Sequence, residues 1–248
     1  MLGQPATATK RPVDPHPAPG GCGYPRCHHC DIRRVAVCSA VGPRQLARLA
    51  AIASDRGLQP EQVLFDEGDQ ADMVFVVTAG MLKLYKVLVD GRRQVVGFMV
   101  PGDFLGLAFG RLYLYSAEAV TPVTLCSFRR AQFLDFLDEC PALEKEVLLR
   151  TSTELAAAQE QMLLLGRKSA TERVASFILS MARRRRLDDG APVELPMSRV
   201  DIADYLGLTV ETVSRTISSL RRRALIELRD KHLVAIRQPA HLRQVAGA

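Results

Sequence analysis

Short apolar runs separated by turn residues occupy the middle of the chain, and a longer helical periodicity occupies its last hundred residues. Val63-Leu64-Phe65 is followed by the polar turn Asp66-Glu67-Gly68-Asp69, and Met73 to Thr78 ends at Ala79-Gly80. Met81 to Val89 runs into Asp90-Gly91, a two-residue hairpin signal, and Gln94 to Met99 supplies the returning strand. Pro101-Gly102-Asp103 marks a further turn, and Ala117 to Phe128 reads as one or two more strands. Strands this short at this spacing predict a sandwich, roll or barrel.

At Pro141 the pattern changes. Leu143, Val147, Leu155, Ala158, Met162 and Leu165 recur with charges between them until Gly166 supplies a stop. About 25 residues of helix would span roughly 37 Å. An apolar seam of that length, on an otherwise charged helix, is expected to pack against a second copy rather than along its own domain. Ser169 and Glu172 form a capping-box signature, and Val174, Phe177, Ile178 and Met181 make one face of the helix that follows. Arg183 to Arg186 complement the carboxyl end of that helix, as a solvated terminus or as phosphate contacts.

Residues 197–223, MSRVDIADYLGLTVETVSRTISSLRRR, carry the most information. Ser198 caps a short helix bearing Val200, Ile202, Ala203 and Leu206; Gly207 permits a tight turn, and Thr209 caps a second helix. Val210, Val213, Ile217 and Leu220 form the inward stripe of that second helix, and Glu211, Ser214, Arg215 and Ser218 its outward face. That face suits a DNA major groove, because Arg can bond bidentately to guanine, Glu can accept from cytosine, and Ser adapts to either. Arg221, Arg222 and Arg223 follow where phosphates would lie, and Ile226 to Ile236 reads as a hairpin around Asp230-Lys231, the wing of a winged helix. A plain helical hairpin, with Glu211 merely offsetting the helix dipole, is the simpler alternative.

Composition adds bounds. The 248 residues are 48% hydrophobic and 24% charged, enough for one large or two modest cores. Lys and Arg number 33 against 27 acids, a balance compatible with a polyanion partner. No apolar run is long enough for a membrane span, and the first twenty residues lack an apolar stretch, so a cytoplasmic location is expected. Five of the 14 prolines fall in those twenty residues, which predicts a flexible leader over 1–21. No paired carboxylates, nucleophile elbow or phosphate loop stands in a supporting context, so an enzyme is not expected.

Four of the six cysteines, Cys22, Cys27, Cys30 and Cys38, crowd together, with Cys126 and Cys140 far downstream. In a reducing compartment this reads as a metal site or redox sensor rather than a disulfide framework. Cys27, Cys30 and Cys38 with Cys126 would give the four thiolates of a [4Fe–4S] cluster. Cys22, Cys27, Cys30 and Cys38, with His28 or His29 available, could instead close around zinc. Cys140, just before Pro141, is expected to pack at the helix start.

The stretch Val210-Glu211-Thr212-Val213-Ser214-Arg215, and the order of elements around it, resemble the Crp/Fnr family of bacterial transcription regulators. The resemblance covers residues 40 to 240. It implies an α+β chain: a cysteine-rich cluster-binding segment (22–39), a β-roll sensor domain of the cyclic-nucleotide-binding type (40–140), a dimerisation helix (141–166) and a winged helix-turn-helix (167–248). By resemblance to the Fnr/FnrN/FixK branch, Glu211, Ser214 and Arg215 would read a TTGAT-type inverted repeat, with Ser218 and Arg221 beside them. Cys27, Cys30, Cys38 and Cys126 would ligate the cluster, and a homodimer would meet RNA polymerase at genes for low-oxygen respiration or nitrogen fixation. The sister branch holds cyclic AMP through a carboxylate and an Arg-Ser pair; here Leu107 and Tyr115-Ser116 stand at those positions. With no cation to offset the phosphate, a cyclic nucleotide is not expected. A regulator of the same fold controlled by zinc, thiol oxidation or its own abundance is the alternative.

Overall fold

The computed structural model describes Cys27 and residues 30–107, 110–184 and 191–247. The leader, Cys22, His28, His29, Arg185 and Arg186 lie outside the described residues.

Eight strands form a roll of two four-stranded antiparallel sheets: β1 (Ala53–Leu58), β2 (Val63–Phe65), β3 (Met73–Ala79), β4 (Leu82–Val87), β5 (Arg93–Met99), β6 (Phe104–Leu105), β7 (Ser116–Ala119) and β8 (Val123–Arg129). Their orders are β1-β8-β3-β6 and β2-β7-β4-β5. Alternation along β3 and β8 divides the side chains between two cores. Phe75, Val77 and Leu125 point between the sheets, with Phe65, Leu82, Leu84 and Met99. Val74, Val76, Phe128 and the half-buried Cys126 point to the outer face.

That outer face is covered by α1 (Pro43–Ala51), α2 (Arg130–Asp138) and the start of α3 (Pro141–Arg167), through Leu46, Leu49, Phe133, Phe136, Leu143 and Val147. The expected strands are present. Not expected were β1, whose sequence ASDRGL has no apolar alternation, and the short β6, α1 and α2.

The 27 residues of α3 carry their apolar positions on two faces. Leu143 and Val147, expected in the seam for a second copy, are buried in this chain's own core at 0% and 7% exposure. Residues 151–160 are all exposed. Leu148, Leu155 and Met162, 60–65% exposed, stand at seven-residue intervals, and Thr151, Ala158 and Leu165 lie three residues after each. This is a heptad stripe. Of the expected seam, Leu155, Ala158 and Met162 are exposed, in line with Leu148, whereas Leu165 is half-buried, partly against this chain's own carboxyl-terminal core. The first two turns were misplaced because a 3.6-residue pattern cannot say which of two adjacent apolar faces meets its own domain.

The carboxyl-terminal unit comprises α4 (Ala170–Arg184), α5 (Arg199–Leu206), α6 (Val210–Arg222), α7 (Pro239–Val245) and a three-stranded sheet. The sheet order is β10 (Ile226–Leu228), β11 (Leu233–Ile236), β9 (Val193–Glu194). Its core, with Val174, Phe177, Ile178, Ile202, Leu206, Val213 and Leu220, continues into Met81, Val95, Phe98 and Val100 of the roll. The two units thus share one apolar interface.

Candidate nucleic-acid interface and candidate metal centre

The reading unit is fixed at both helix starts. Asp201 N–H donates to Ser198 Oγ at 3.0 Å while Ser198 N–H donates to the Asp201 carboxylate at 3.1 Å, a reciprocal capping box. Gly207 sits at φ +61°, the left-handed conformation that ends α5 and turns the chain into α6. Thr209 Oγ1 then accepts from Thr212 N–H at 3.1 Å. In α6, Val213, Thr216, Ile217 and Leu220 are buried. Glu211, Ser214, Arg215 and Arg221 are exposed and Ser218 is half-buried, all on the outward side.

Val210 is a correction: expected inward, it is 40% exposed, as Val200 is at 47%. Val210 is the first residue of α6 and Val200 the second of α5, each in the first turn, before the chain has turned onto its core. The Val210 methyls are consequently available beside Glu211 and Ser214, where a thymine methyl could be met. Arg215 lies 3.2 Å from Glu211, one turn away, with both side chains more than 70% exposed. Such a surface pair adds little stability, but it holds two groups with base-reading chemistry side by side. Arg221, Arg222 and Arg223 extend the exposed basic end, and Arg229 and Lys231 are exposed on the β10–β11 hairpin.

The cysteines are assembled on the far side of the roll. Cys126 lies on β8 between Asp55 of β1 and Val76 of β3. Cys27, Cys38 and Cys126 pack on the same apolar cluster. Cys30 opens a turn in which Arg33 N–H donates to its carbonyl at 3.1 Å, and Cys38 sits in a short 3-10 helix, Val37–Ala40. Burial first, and then the neighbours Cys27, Asp55, Cys38 and Cys30, together push the Cys126 thiol up to about 12. Burial, then Cys30 and Cys27, likewise raise Cys38 to about 11. Cys126 and Cys38 therefore each lie within electrostatic reach of the other three thiols. A cysteine that reacts directly with oxidants is a low-pKa thiolate; Cys38 and Cys126 have the opposite character. Cys140 is buried at 3% exposure at the start of α3, within the same apolar cluster.

Among the described residues no three His, Cys, Asp or Glu side chains are placed to hold one metal ion together. A single tetrahedral zinc, at 2.3 Å from each sulfur, needs thiolates roughly 3.8 Å apart. An iron–sulfur cubane, whose ligands sit on four separate irons, spreads them more widely. Thiols are ligands of either group, and Cys22, His28 and His29, which a zinc site could also use, lie outside the described residues.

A cavity of about 600 Å³ lies between the roll and α3, lined among others by Asp103, Leu107, Tyr115, Arg150, Glu154 and Arg184. Its cations are engaged. Arg184 pairs with Asp103 at 2.6 Å. Arg150 donates to Glu146 at 2.9 Å, to the Gly102 carbonyl at 3.0 Å and to the Val35 carbonyl at 2.6 Å. Gly102 has φ +98°, and an added Cβ would meet Val35 at 2.9 Å, so the turn, the cysteine-bearing segment and α3 are in close contact. The Ser116 hydroxyl accepts from Glu67 N–H at 2.9 Å. Neither Arg150 nor this contact carries a signal in the sequence, since three distant segments meet there.

A roll joined by a long helix to a winged helix-turn-helix defines a DNA-binding transcription regulator. Residues 172–245 match the Crp-like helix-turn-helix domain, and residues 55–140 match the cyclic nucleotide-binding domain, a match that describes the roll and not a bound ligand. The chain is 45% identical over 204 residues to the transcriptional activatory protein AadR of Rhodopseudomonas palustris, covering 81% of this chain and 85% of that one. It is 41% identical over 224 residues to the nitrogen fixation regulation protein FixK of Bradyrhizobium diazoefficiens, covering 90% and 94%. The structure of FixK2 from Bradyrhizobium japonicum is similar with a TM-score of 0.75 at 36% identity, covering 79% of this chain and 98% of that one. The chain belongs to the Crp/Fnr family of transcription regulators. Among the described residues no helix is long and apolar enough to cross a membrane.

Proposed function

We propose that this regulator is an oxygen-responsive activator that binds a TTGAT-type inverted repeat as a homodimer, with Cys27, Cys30, Cys38 and Cys126 holding a [4Fe–4S] cluster. The observation that carries this reading is the convergence of three cysteines of one short segment on Cys126, a residue of a central roll strand. When bound, the cluster supplies an oxygen-labile tie between that segment and β8.

The chain's own residues convey the state of this tie. With the segment seated on the roll, the Val35 carbonyl faces Arg150, which also holds the Gly102 turn and so fixes the first half of α3. Leu148, Leu155, Ala158, Met162 and Leu165 then meet the same stripe of a second copy. The dimer presents two α6 helices, in which Glu211, Ser214 and Arg215 read base edges and Ser218 and Arg221 support them. Release of the segment frees Arg150, loosens α3 and weakens the dimer; a shift of a few kcal/mol suffices to move it from mostly dimer to mostly monomer. The engaged cations of the roll cavity favour a regulator that takes no cyclic nucleotide. Its targets are genes of low-oxygen respiration or nitrogen fixation, reached through RNA polymerase from a cytoplasmic protein.

The test is iron, sulfide and zinc analysis of protein prepared without air, together with its mass in solution. Equal iron and sulfide in a dimer that becomes monomeric in air support the reading. Stoichiometric zinc, or metal-free protein with the same DNA affinity in air and without it, overturns it.

A further inference from the structure

The joint between roll and reading unit contains a group of charges in a place where apolar packing alone would hold. Lys83 of β4 is 7% exposed and Asp201 of α5 is 5% exposed. Lys83 Nζ lies 3.0 Å from Asp201 Oδ1 and 2.8 Å from Glu118 of β7. Arg93 of β5 reaches the same Asp201 Oδ1 at 2.9 Å and Asp204, one turn on, at 2.9 Å. Gln94 donates to the Asp204 carbonyl at 2.6 Å. The second oxygen of Asp201 accepts from the N–H and hydroxyl of Ser198, at 3.1 and 2.6 Å. One carboxylate therefore closes the cap of α5 with one oxygen and receives the roll's two cations with the other. Burial acts to raise this carboxyl, but the hydrogen bonds from Ser198 and Lys83 outweigh it and hold it below the usual carboxylate range.

Around these charges the joint is apolar. The Phe98 ring of β5 packs on Phe177 of α4 and Tyr205 of α5 at centroid distances of 6.0 and 5.3 Å. Apolar contact is non-directional and tolerates sliding and rotation. A buried ion group contributes little net stability, because desolvation offsets its attraction, but it has few acceptable geometries. Capping ties Asp201 to α5, and the tight turn at Gly207 ties α5 to α6, so the orientation of α5 on the roll is the orientation of the reading helix.

We propose that Lys83, Arg93, Asp201 and Asp204 are positioning residues for DNA reading: they lock α5 onto β4 and β5 at one angle, and so set the distance between the two reading helices of a dimer. In a dimer built along α3, each reading helix hangs from its own roll through this joint. A rotation there moves both helices relative to the dimer axis and changes the half-site spacing they can span. The proposal rests on DNA binding by this family and not on the iron–sulfur reading.

The test uses the full-length protein and an inverted-repeat duplex selected by the wild type from a random library, with versions lengthened or shortened by one base pair between half-sites. Arg93→Glu and Asp204→Lys are each expected to lower affinity for the selected spacing by about tenfold and to flatten the preference among the three spacings. Affinity for unrelated DNA, a charge effect of the whole unit, stays within about twofold after correction for the net-charge change. Combining the two exchanges the charges of the 93–204 pair and is expected to recover part of the lost affinity and spacing preference, but not all, because a carboxylate at position 93 still faces Asp201. Should either single variant fail to fold, Arg93→Gln, which removes the charge without reversing it, takes its place with the same spacing measurement. Wild-type affinity and spacing preference in a folded single variant, or an exchanged pair no better than the worse single, overturns the proposal.

Discussion

The reading face of α6 takes all its groups from one short stretch, Glu211 to Arg221, whose own core residues alternate with them every turn. The cysteine group is assembled from residues 27 to 126, and its geometry is set by strand register, Cys126 lying between Asp55 and Val76. The first arrangement is local, so a change at one position alters one contact and leaves its neighbours in place. The second is held by the roll, so it can respond as a whole. In the proposed mechanism a chemical event at the cysteines would reach α3 through the Val35 carbonyl, to which Arg150 donates. The reading face is thus built within one helix, and the cysteine group between segments.

Substitutions at the two ends should therefore fail differently. The largest effect is expected from Cys126→Ser, which should abolish iron incorporation while leaving a soluble fold, since the half-buried side chain changes little in size. Iron and sulfide analysis of the air-free variant checks it, and full iron content would show that the group does not act as a unit. Next is Leu155→Glu on the exposed stripe of α3. Two copies each lose a leucine burial of about 1.5–3 kcal/mol, so the dimer should dissociate at concentrations where the wild type remains paired. Sedimentation reads this directly, and an unchanged dimer would mean that a different face of α3 forms the seam.

Arg215→Ala should cost roughly 1–3 kcal/mol at the base it reads and relax discrimination there. Iron content and dimer mass should be untouched. Binding to a panel of single-base operator variants tests this, and unchanged discrimination would remove Arg215 from the reading set. The smallest effect is expected at Val210→Ala, a loss of well under 1 kcal/mol confined to a position bearing a thymine methyl. The same panel measures it, and an equal loss at every position would mark Val210 as structural.

The same contrast explains what could be read from the sequence. The capping residues Ser198 and Thr209, Gly207 and the stripe Val213, Ile217 and Leu220 lie within one window, and each has a local physical signature that the structure bears out. The hairpin at Asp90-Gly91 and strands β2 to β5 were legible for the same reason. By contrast, β1 is a polar strand recognised only by its pairing with β8, and Arg150 is a charged residue on a charged helix until Val35 and Gly102 are folded against it. The positions of Val210 and Leu143 were misjudged because periodicity gives an angle around a helix and not the distance at which neighbouring elements end. Cys27, Cys30 and Cys38 were visible as a spacing pattern, while Cys126 entered through the family resemblance and its place on the outer face needed the register of β8.

The most direct measurement follows one air-free sample through oxygen exposure, recording visible absorbance, mass in solution and operator binding together. The account predicts a coloured dimer that occupies its operator and then loses colour, pairing and DNA in step as air enters. Colourless protein that binds its operator equally before and after exposure would contradict it.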